Sequence, residues 1–314
     1  MMRIKKVMPL LRRGTSVLFL LAVILICSLL SPAFFTTQNA INVARQISVV
    51  TILAFGQTML IIAGQIDLSV GAVAGMAGVF SCIFYLNVPS LVLALLFGVL
   101  LGGLFGIFNG LVITRFKAPP FIVTLAMQTV ATGIILLYTG GQNVYNIGDF
   151  RLWGQGSIGI LPVPVLIMLV VLVIVYLILH HMKFGRYLYA IGGNEKAAEA
   201  SGIQVGRTKF IAYVMSGMLA GLAGVLLMSR LNSGMPSAGT GYETDAIMAA
   251  VIGGTSFTGG VGTAFGTLIG SMIIGILNNI LNLMGVQSYV QQISKGLLIV
   301  IAVVIDIKTK TRKQ

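Results

Sequence analysis

Long apolar stretches, separated by short polar breaks, dominate the chain. Ten of them run approximately over 15–33, 42–63, 67–86, 90–113, 119–139, 162–180, 209–230, 243–254, 262–284 and 288–306. Runs of roughly 18 or more apolar residues read as membrane-spanning helices. A transmembrane barrel would instead show alternating strands of about ten residues, and the sequence contains none. The pattern predicts an all-α integral membrane protein of about ten spans, forming a single domain over 1–314.

One polar break stands apart. "IGGNEKAAEASGI", between the sixth and seventh runs, places two glutamates and a lysine within five residues. After Gly192 and Gly193, Asn194 is a good N-cap. Glu195 falls in the first turn, where an acid is favoured. Ala197, Ala198 and Glu199 are strong helix formers, and after Ser201, Gly202 supplies a stop. A helix of about two turns is too short to persist alone in water, so it must dock. Two readings stand: a loop helix resting on its own protein, or a plug for a groove on a cytoplasmic partner.

Composition agrees with the pattern. The chain is 57% hydrophobic and 9% charged, with 39 glycines and 15 methionines, which suits close helix packing in lipid. Its net charge of +13 would suggest nucleic acid in a soluble domain. Here the basic residues cluster at the ends of apolar runs. With the N-terminus inside, sixteen of the 20 Lys and Arg fall on the cytoplasmic side. They lie at Arg3 to Arg13, at Arg115 and Lys117, from Lys183 to Lys209, and in the C-terminal tail. Arg45, Arg151, Arg230 and Lys295 remain for the other side. The segment "MMRIKKVMPLLRRG" and the run after it lack an A-x-A-like cleavage site, so an uncleaved first span is expected. Cys27 and Cys82 both lie in apolar runs, with no disulfide or zinc spacing.

Two glycine-rich segments echo each other. "GQIDLSVGAVAGMAG" opens the third run and "GGTSFTGGVGTAFGTLIG" the ninth. Runs 2–5 (about 41–139) and 7–10 (about 209–306) would then be inverted repeats, a plan common in transporters. Glycines also recur every four residues at Gly98, Gly102, Gly106 and Gly110. Gly217 and Gly221, and Gly262, Gly266 and Gly270, follow the same spacing. Such stripes let another backbone approach closely, and helix packing is the expected role.

Asp67, beside Ser69 in "GQIDLSVG", either caps the third span or lines a polar pathway or gate. Glu243 and Asp245 in "GYETDAI" suit a helix N-terminus and are expected at the outer mouth. "GGTSFTGG" lacks the lysine of a phosphate-binding loop. If ATP drives this protein, another chain binds it. His180 and His181 do not share a helix face. No catalytic constellation or metal site emerges.

Four blocks, in order, carry a family resemblance: "IDLSVG", "YAIGGNEKAAEASGI", "YETDAIMAAVIGGTSFTGGVGT" and "KGLLIVIAVVID". Over nearly its whole length the chain resembles the permease subunits of bacterial ATP-binding cassette importers for ribose, galactose, xylose and arabinose. The resemblance implies a type II, vitamin-B12-importer-like fold in the bacterial inner membrane. It implies two permease copies, identical or paired, a periplasmic sugar-binding protein and a cytoplasmic ATPase. The permease itself would hold no cofactor, with ATP and Mg bound by the ATPase. The family's coupling helix maps onto Gly193–Gly202.

A neutral, hydroxyl-rich substrate calls for amides and hydroxyls along its path. Gln57, Gln65, Asn109, Gln128, Asn278 and Asn282 are the candidates beside Asp67 and Ser69, against the alternative of interhelical hydrogen bonds. An ion-coupled secondary transporter is the rival class. It needs an embedded ionisable site, for which Asp67 is the one plausible acid.

Overall fold

The computed structural model describes residues 17–311. The basic residues Arg3, Lys5, Lys6, Arg12 and Arg13, the first residues of the first predicted span, and Arg312 and Lys313 lie outside the described residues. Helix α1 is Val17–Leu30. The further helices are α2 (Thr37–Ile62), α3 (Val70–Asn87), α4 (Leu91–Arg115), α5 (Pro120–Thr139), α6 (Val163–His181), α7 (Lys183–Gly193) and α8 (Glu195–Ala200). They continue with α9 (Val205–Leu231), α10 (Tyr242–Ile252), α11 (Ala264–Leu283) and α12 (Ser288–Thr311).

Seven helices, α2 to α6, α9 and α11, are long and apolar enough to cross a membrane. The protein is thus an all-α, multi-pass membrane protein. The other three predicted spans differ in kind. The described α1 is shorter, and α12 ends in the charged run "IDIKTKT". Helix α10 has 11 residues, a rise of about 16 Å, roughly half a hydrocarbon core.

Helix starts follow local chemistry. The hydroxyls of Thr36, Ser90 and Thr263 accept from the backbone N–H of Asn39, Leu93 and Gly266, replacing bonds that a helix end lacks. Proline opens α5, where its missing N–H costs nothing.

Helix α2 forms the centre, with 89% of its apolar window buried against 28% for α4 and α5. The glycine stripes explain how α4 meets α9. Gly98, Gly102 and Gly106 face Gly221, Gly217 and Tyr213 in antiparallel register. A Cβ on Gly102 would stand 2.6 Å from the Gly221 nitrogen, and one on Gly217 2.8 Å from the Gly106 nitrogen. Gly110 meets the Phe210 ring. Gly266 and Gly270 lie on the carbonyls of Gly253 and Ala249, so α11 closes on α10 in the same way. Gly262 packs on the Ile62 and Thr255 side chains.

Two non-helical segments run into the bundle. Residues 63–69 lead from α2 to α3 beside α7, where the Ile62 carbonyl accepts from Gly260 N–H at 2.8 Å. Residues 232–241 lead from α9 to α10 at the opposite end. There Gly154 packs on the Arg230 backbone, next to a small hairpin of β1 (Ser157–Ile158) and β2 (Leu161–Pro162). The start of α3 meets the second segment inside: a Cβ on Gly71 would stand 2.6 Å from the Gly239 carbonyl oxygen. The helices α3 and α10 thus begin face to face within the packing.

This arrangement changes the reading of the sequence echo. The end of α2, just before "GQIDLSVG", lies beside "GGTSFTGG" and the start of α11, through the Ile62–Gly260 bond and the Thr58 and Thr267 hydroxyls 2.6 Å apart. An in-plane two-fold exchanges the two ends, so these segments are not inverted counterparts. The segment placed opposite 63–69 is 232–241.

Candidate functional site

The polar break predicted to hold one helix holds two. Helix α7 buries Gly185, Leu188 and Ile191, one residue per turn. Its C-terminus lies directly on other backbone. Gly192 abuts the Ile62 carbonyl, and a Cβ there would stand 2.5 Å from the Gly260 nitrogen. Tyr189 donates its phenol hydrogen to the Gly262 carbonyl at 2.8 Å. Burial pushes this phenol above its ordinary range, so it stays protonated and remains a donor. Helix α7 is therefore fixed to the end of α2 and to the 253–262 turn.

Helix α8 follows after Asn194, whose side-chain oxygen accepts from Ala197 N–H at 3.0 Å. Gly202 has φ +81°. Its N–H donates to the Glu199 carbonyl at 2.9 Å, and Ile203 N–H donates to the Ala198 carbonyl at 3.1 Å. These two bonds form a Schellman stop. Ala198 is buried, and Glu195 pairs with Lys209 of α9 at 2.8 Å. Glu195 is 55% exposed while Lys209 is 11% exposed, so a surface acid holds a nearly enclosed base. Gly193, Asn194, Lys196, Ala197, Glu199 and Ser201 face outward. Beside them a cleft of about 390 Å³ opens between Lys117–Pro120, Glu195, Glu199 and Lys209. One side of α8 rests on its own chain, and the other is presented.

The predicted path residues separate into groups. Gln57, Asp67, Ser69 and Asn109 are each no more than 1% exposed and form one network. Ser69 donates its N–H and its hydroxyl to Asp67 Oδ1 at 2.8 and 2.6 Å. Asn109 Nδ2 donates to Ser69 Oγ at 3.0 Å and to Asp67 Oδ2 at 3.4 Å. Gln57 bonds both backbone groups of Asp67. This network braces the start of α3. Gln65 lies apart, on the cleft near α8. Tyr213, which the sequence reading missed, donates to the Ile66 carbonyl at 3.1 Å.

The remaining candidates cluster around α10. Gln128 of α5 donates to Glu243 Oε1 at 3.5 Å. Asn278 of α11 donates to Asp245 Oδ2 at 3.1 Å. Lys295 of α12 lies 2.9 Å from both Asp245 oxygens. Asn282 bonds Gln291 of α12 instead. Glu243 and Asp245 are thus placed among helices: Asp245 is buried, and Glu243 lies against Gly71. The embedded ionisable groups therefore extend beyond Asp67, and Lys295 belongs to them. Fifty residues separate Lys295 from Asp245, and no local pattern joins them. Asn39 and Asn279 form another missed link, exchanging amide bonds at 3.0 and 2.7 Å between α2 and α11.

Among the described residues, no group of three or more His, Cys, Asp or Glu could hold a metal ion.

Comparison with known proteins matches this sequence to transport permeases. The profile of the family described as "Branched-chain amino acid transport system / permease component" matches residues 39–303. The chain is 46% identical to the ribose import permease protein RbsC of Bacillus subtilis, covering 92% of this chain and 91% of that one. It is 40% identical to the D-allose transport system permease protein AlsC of Escherichia coli, over 92% and 90%. With the xylose transport system permease protein XylH of Haemophilus influenzae it shares 35%, over 89% and 92%. No solved structure matches. The chain is a transport permease subunit and not an enzyme, and it belongs to the permease family of ATP-binding cassette importers for monosaccharides.

Proposed function

We propose that this chain carries a pentose or hexose across the bacterial inner membrane by alternating access, driven by ATP hydrolysis on a separate cytoplasmic subunit. In this reading α1, α10 and α12 complete ten spans of a type II importer fold. Both termini and the α7–α8 end are cytoplasmic, and the hairpin end receives a periplasmic sugar-binding protein. A second permease copy, identical or related, completes the path. ATP and Mg are held by the partner ATPase.

The observation that carries the proposal is the outward face of α8. Six residues are too few to hold a helix unaided, yet this one is capped at both ends and seated on α9. Its connection through α7 ends on α2 and the 253–262 turn. A push on α8 therefore reaches the helices that bracket the α3 and α10 starts.

Reconstitution tests the reading. Purified permease, ATPase and binding protein in vesicles should take up labelled ribose, allose or xylose only with ATP. Uptake by the permease alone along an ion gradient would instead support the secondary-transporter reading, for which the Asp245–Lys295 pair supplies an embedded ionisable site.

A further inference from the structure

The surface of α6 changes character at its C-terminal end. Val170, Val173, Ile174 and Leu177 are exposed, at the spacing of one helix face. On a helix that crosses a membrane such a face meets lipid chains. His181, about three turns on from Val170, lies on the same face and is exposed. Helix α7 then folds back along this end. A Cβ on Gly185 would stand 2.7 Å from the Leu179 Cα, and Gly185 also abuts the Ile178 carbonyl. Leu179 lies about 3 Å of rise before the last residue of α6. The first turn of α7 is therefore level with the last turn of α6, where the apolar run gives way to histidine.

That turn presents two cations. Gly185, Leu188 and Ile191 form the buried face of α7, whereas Lys183, Arg186 and Tyr187 are exposed. Arg186 Nη1 donates to the His181 carbonyl at 3.4 Å, which brings the guanidinium back to the end of α6. No acid occurs from His180 to Asn194. Among the described residues the ion pairs are Lys209–Glu195 and Lys295–Asp245, so neither cation is balanced by an acid. An arginine offers a phosphate a planar fork of donors and a lysine a point charge. A tyrosine beside them suits the level of lipid headgroups.

Building on the orientation in the transport reading above, we propose that Lys183 and Arg186 bind the phosphate of an anionic phospholipid of the inner leaflet, whose chains lie along the exposed face of α6. The bound lipid holds α7 on the face that its contacts with α2 and α6 leave free. Each basic residue near an anionic surface is worth about a fivefold gain in binding, so the pair selects an anionic lipid over a zwitterionic one.

The test mixes the full-length permease in detergent with equal amounts of phosphatidylglycerol and phosphatidylcholine carrying the same chains, and counts the retained lipids by native mass spectrometry. The wild type is expected to retain phosphatidylglycerol about tenfold over phosphatidylcholine. The double variant Lys183→Gln with Arg186→Gln is expected to lose about fivefold or more of that preference. The double variant Arg115→Gln with Lys117→Gln removes the same charge from the exposed end of α4 and is expected to lose less than about twofold. Equal losses in both variants would show a diffuse charge effect, and no loss in the first would show no site; either overturns the proposal. It is also overturned if the first variant keeps its lipid preference but no longer co-purifies with the ATPase, since the face then belongs to that subunit. Cysteine labelling tests the orientation separately. Cys27 and Cys82 are buried, so Lys183→Cys supplies the accessible thiol. Labelling of cells by a membrane-impermeant maleimide only after permeabilisation supports the orientation. Labelling of intact cells would overturn that orientation, and with it the transport reading's placement of this end.

Discussion

Gly192 lies directly against the carbonyl oxygen of Ile62, so closely that no side chain fits between them. This contact ties the last turn of α7 to the end of α2. The same carbonyl accepts from Gly260 N–H, so three segments converge on one backbone atom. Gly193, one residue on, has nothing within 4 Å of a Cβ position.

The two adjacent glycines should therefore behave differently. Gly192→Ala forces backbone apart and should destabilise by about 1–3 kcal/mol, as overpacking does. Gly193→Ala should be neutral or slightly stabilising, since alanine favours a helix by up to about 1 kcal/mol. Thermal denaturation of the detergent-purified protein checks both. Equal effects would contradict the contact.

Glu195 is engaged within the chain. Its partner Lys209 is nearly enclosed, but Glu195 itself is more than half exposed and screened by solvent. Glu195→Gln should cost about 0.2–1 kcal/mol of stability. Glu195→Arg should cost more, because two bases then meet. Exchange of the charges, with Glu195→Lys and Lys209→Glu, should recover most of the loss in both stability and coupled uptake. If the exchange restores stability but not uptake, Glu195 also touches the ATPase.

Asp67 should prove structural in its immediate effect. It accepts two bonds from Ser69 and one from Asn109, all buried. Asp67→Ala leaves the buried N–H and hydroxyl of Ser69 without their acceptor and should cost about 1–3 kcal/mol. Asp67→Asn retains an acceptor for Ser69 and should lose less. The order of their melting temperatures decides the point.

The α4–α9 interface admits little substitution. A valine at Gly217 meets the backbone of Gly102 and Gly106, which cannot retreat as a side chain would. Gly217→Val should prevent stable insertion, seen as loss of folded protein in membranes. Gly103→Ala is the control, since the nearest atom there is the flexible Met218 side chain at 3.1 Å.

How far the chain could be read unaided follows from distance along it. The glycine stripes of α4 and α9 were legible because a period of four is local, though only the fold shows that they face each other. The caps of α8, Asn194 and Gly202, were legible for the same reason. Helix α7 was hidden: its buried positions are partly glycine and its flanks are basic. The polar residues of the apolar runs were visible, but not their partners. Asp67 and Asn109 lie 42 residues apart, and Lys295 and Asp245 lie 50 apart. Spacing cannot distinguish a path-lining amide from a bracing one, since both are polar groups in an apolar run. The echo between "GQIDLSVG" and "GGTSFTGG" misled because glycine-rich turns resemble one another wherever they lie.

The central claim is that α8 hands force from an ATPase to the sugar path. It is tested most directly by the ratio of sugar taken up to ATP hydrolysed, measured in the same vesicles. The comparison is between wild type and the variant with Lys196→Glu and Glu199→Lys, which reverses the charges α8 presents while leaving its caps and the Glu195–Lys209 pair intact. The account predicts that hydrolysis continues in the variant while uptake per ATP falls several-fold. An unchanged ratio, with the complex fully assembled, would contradict it.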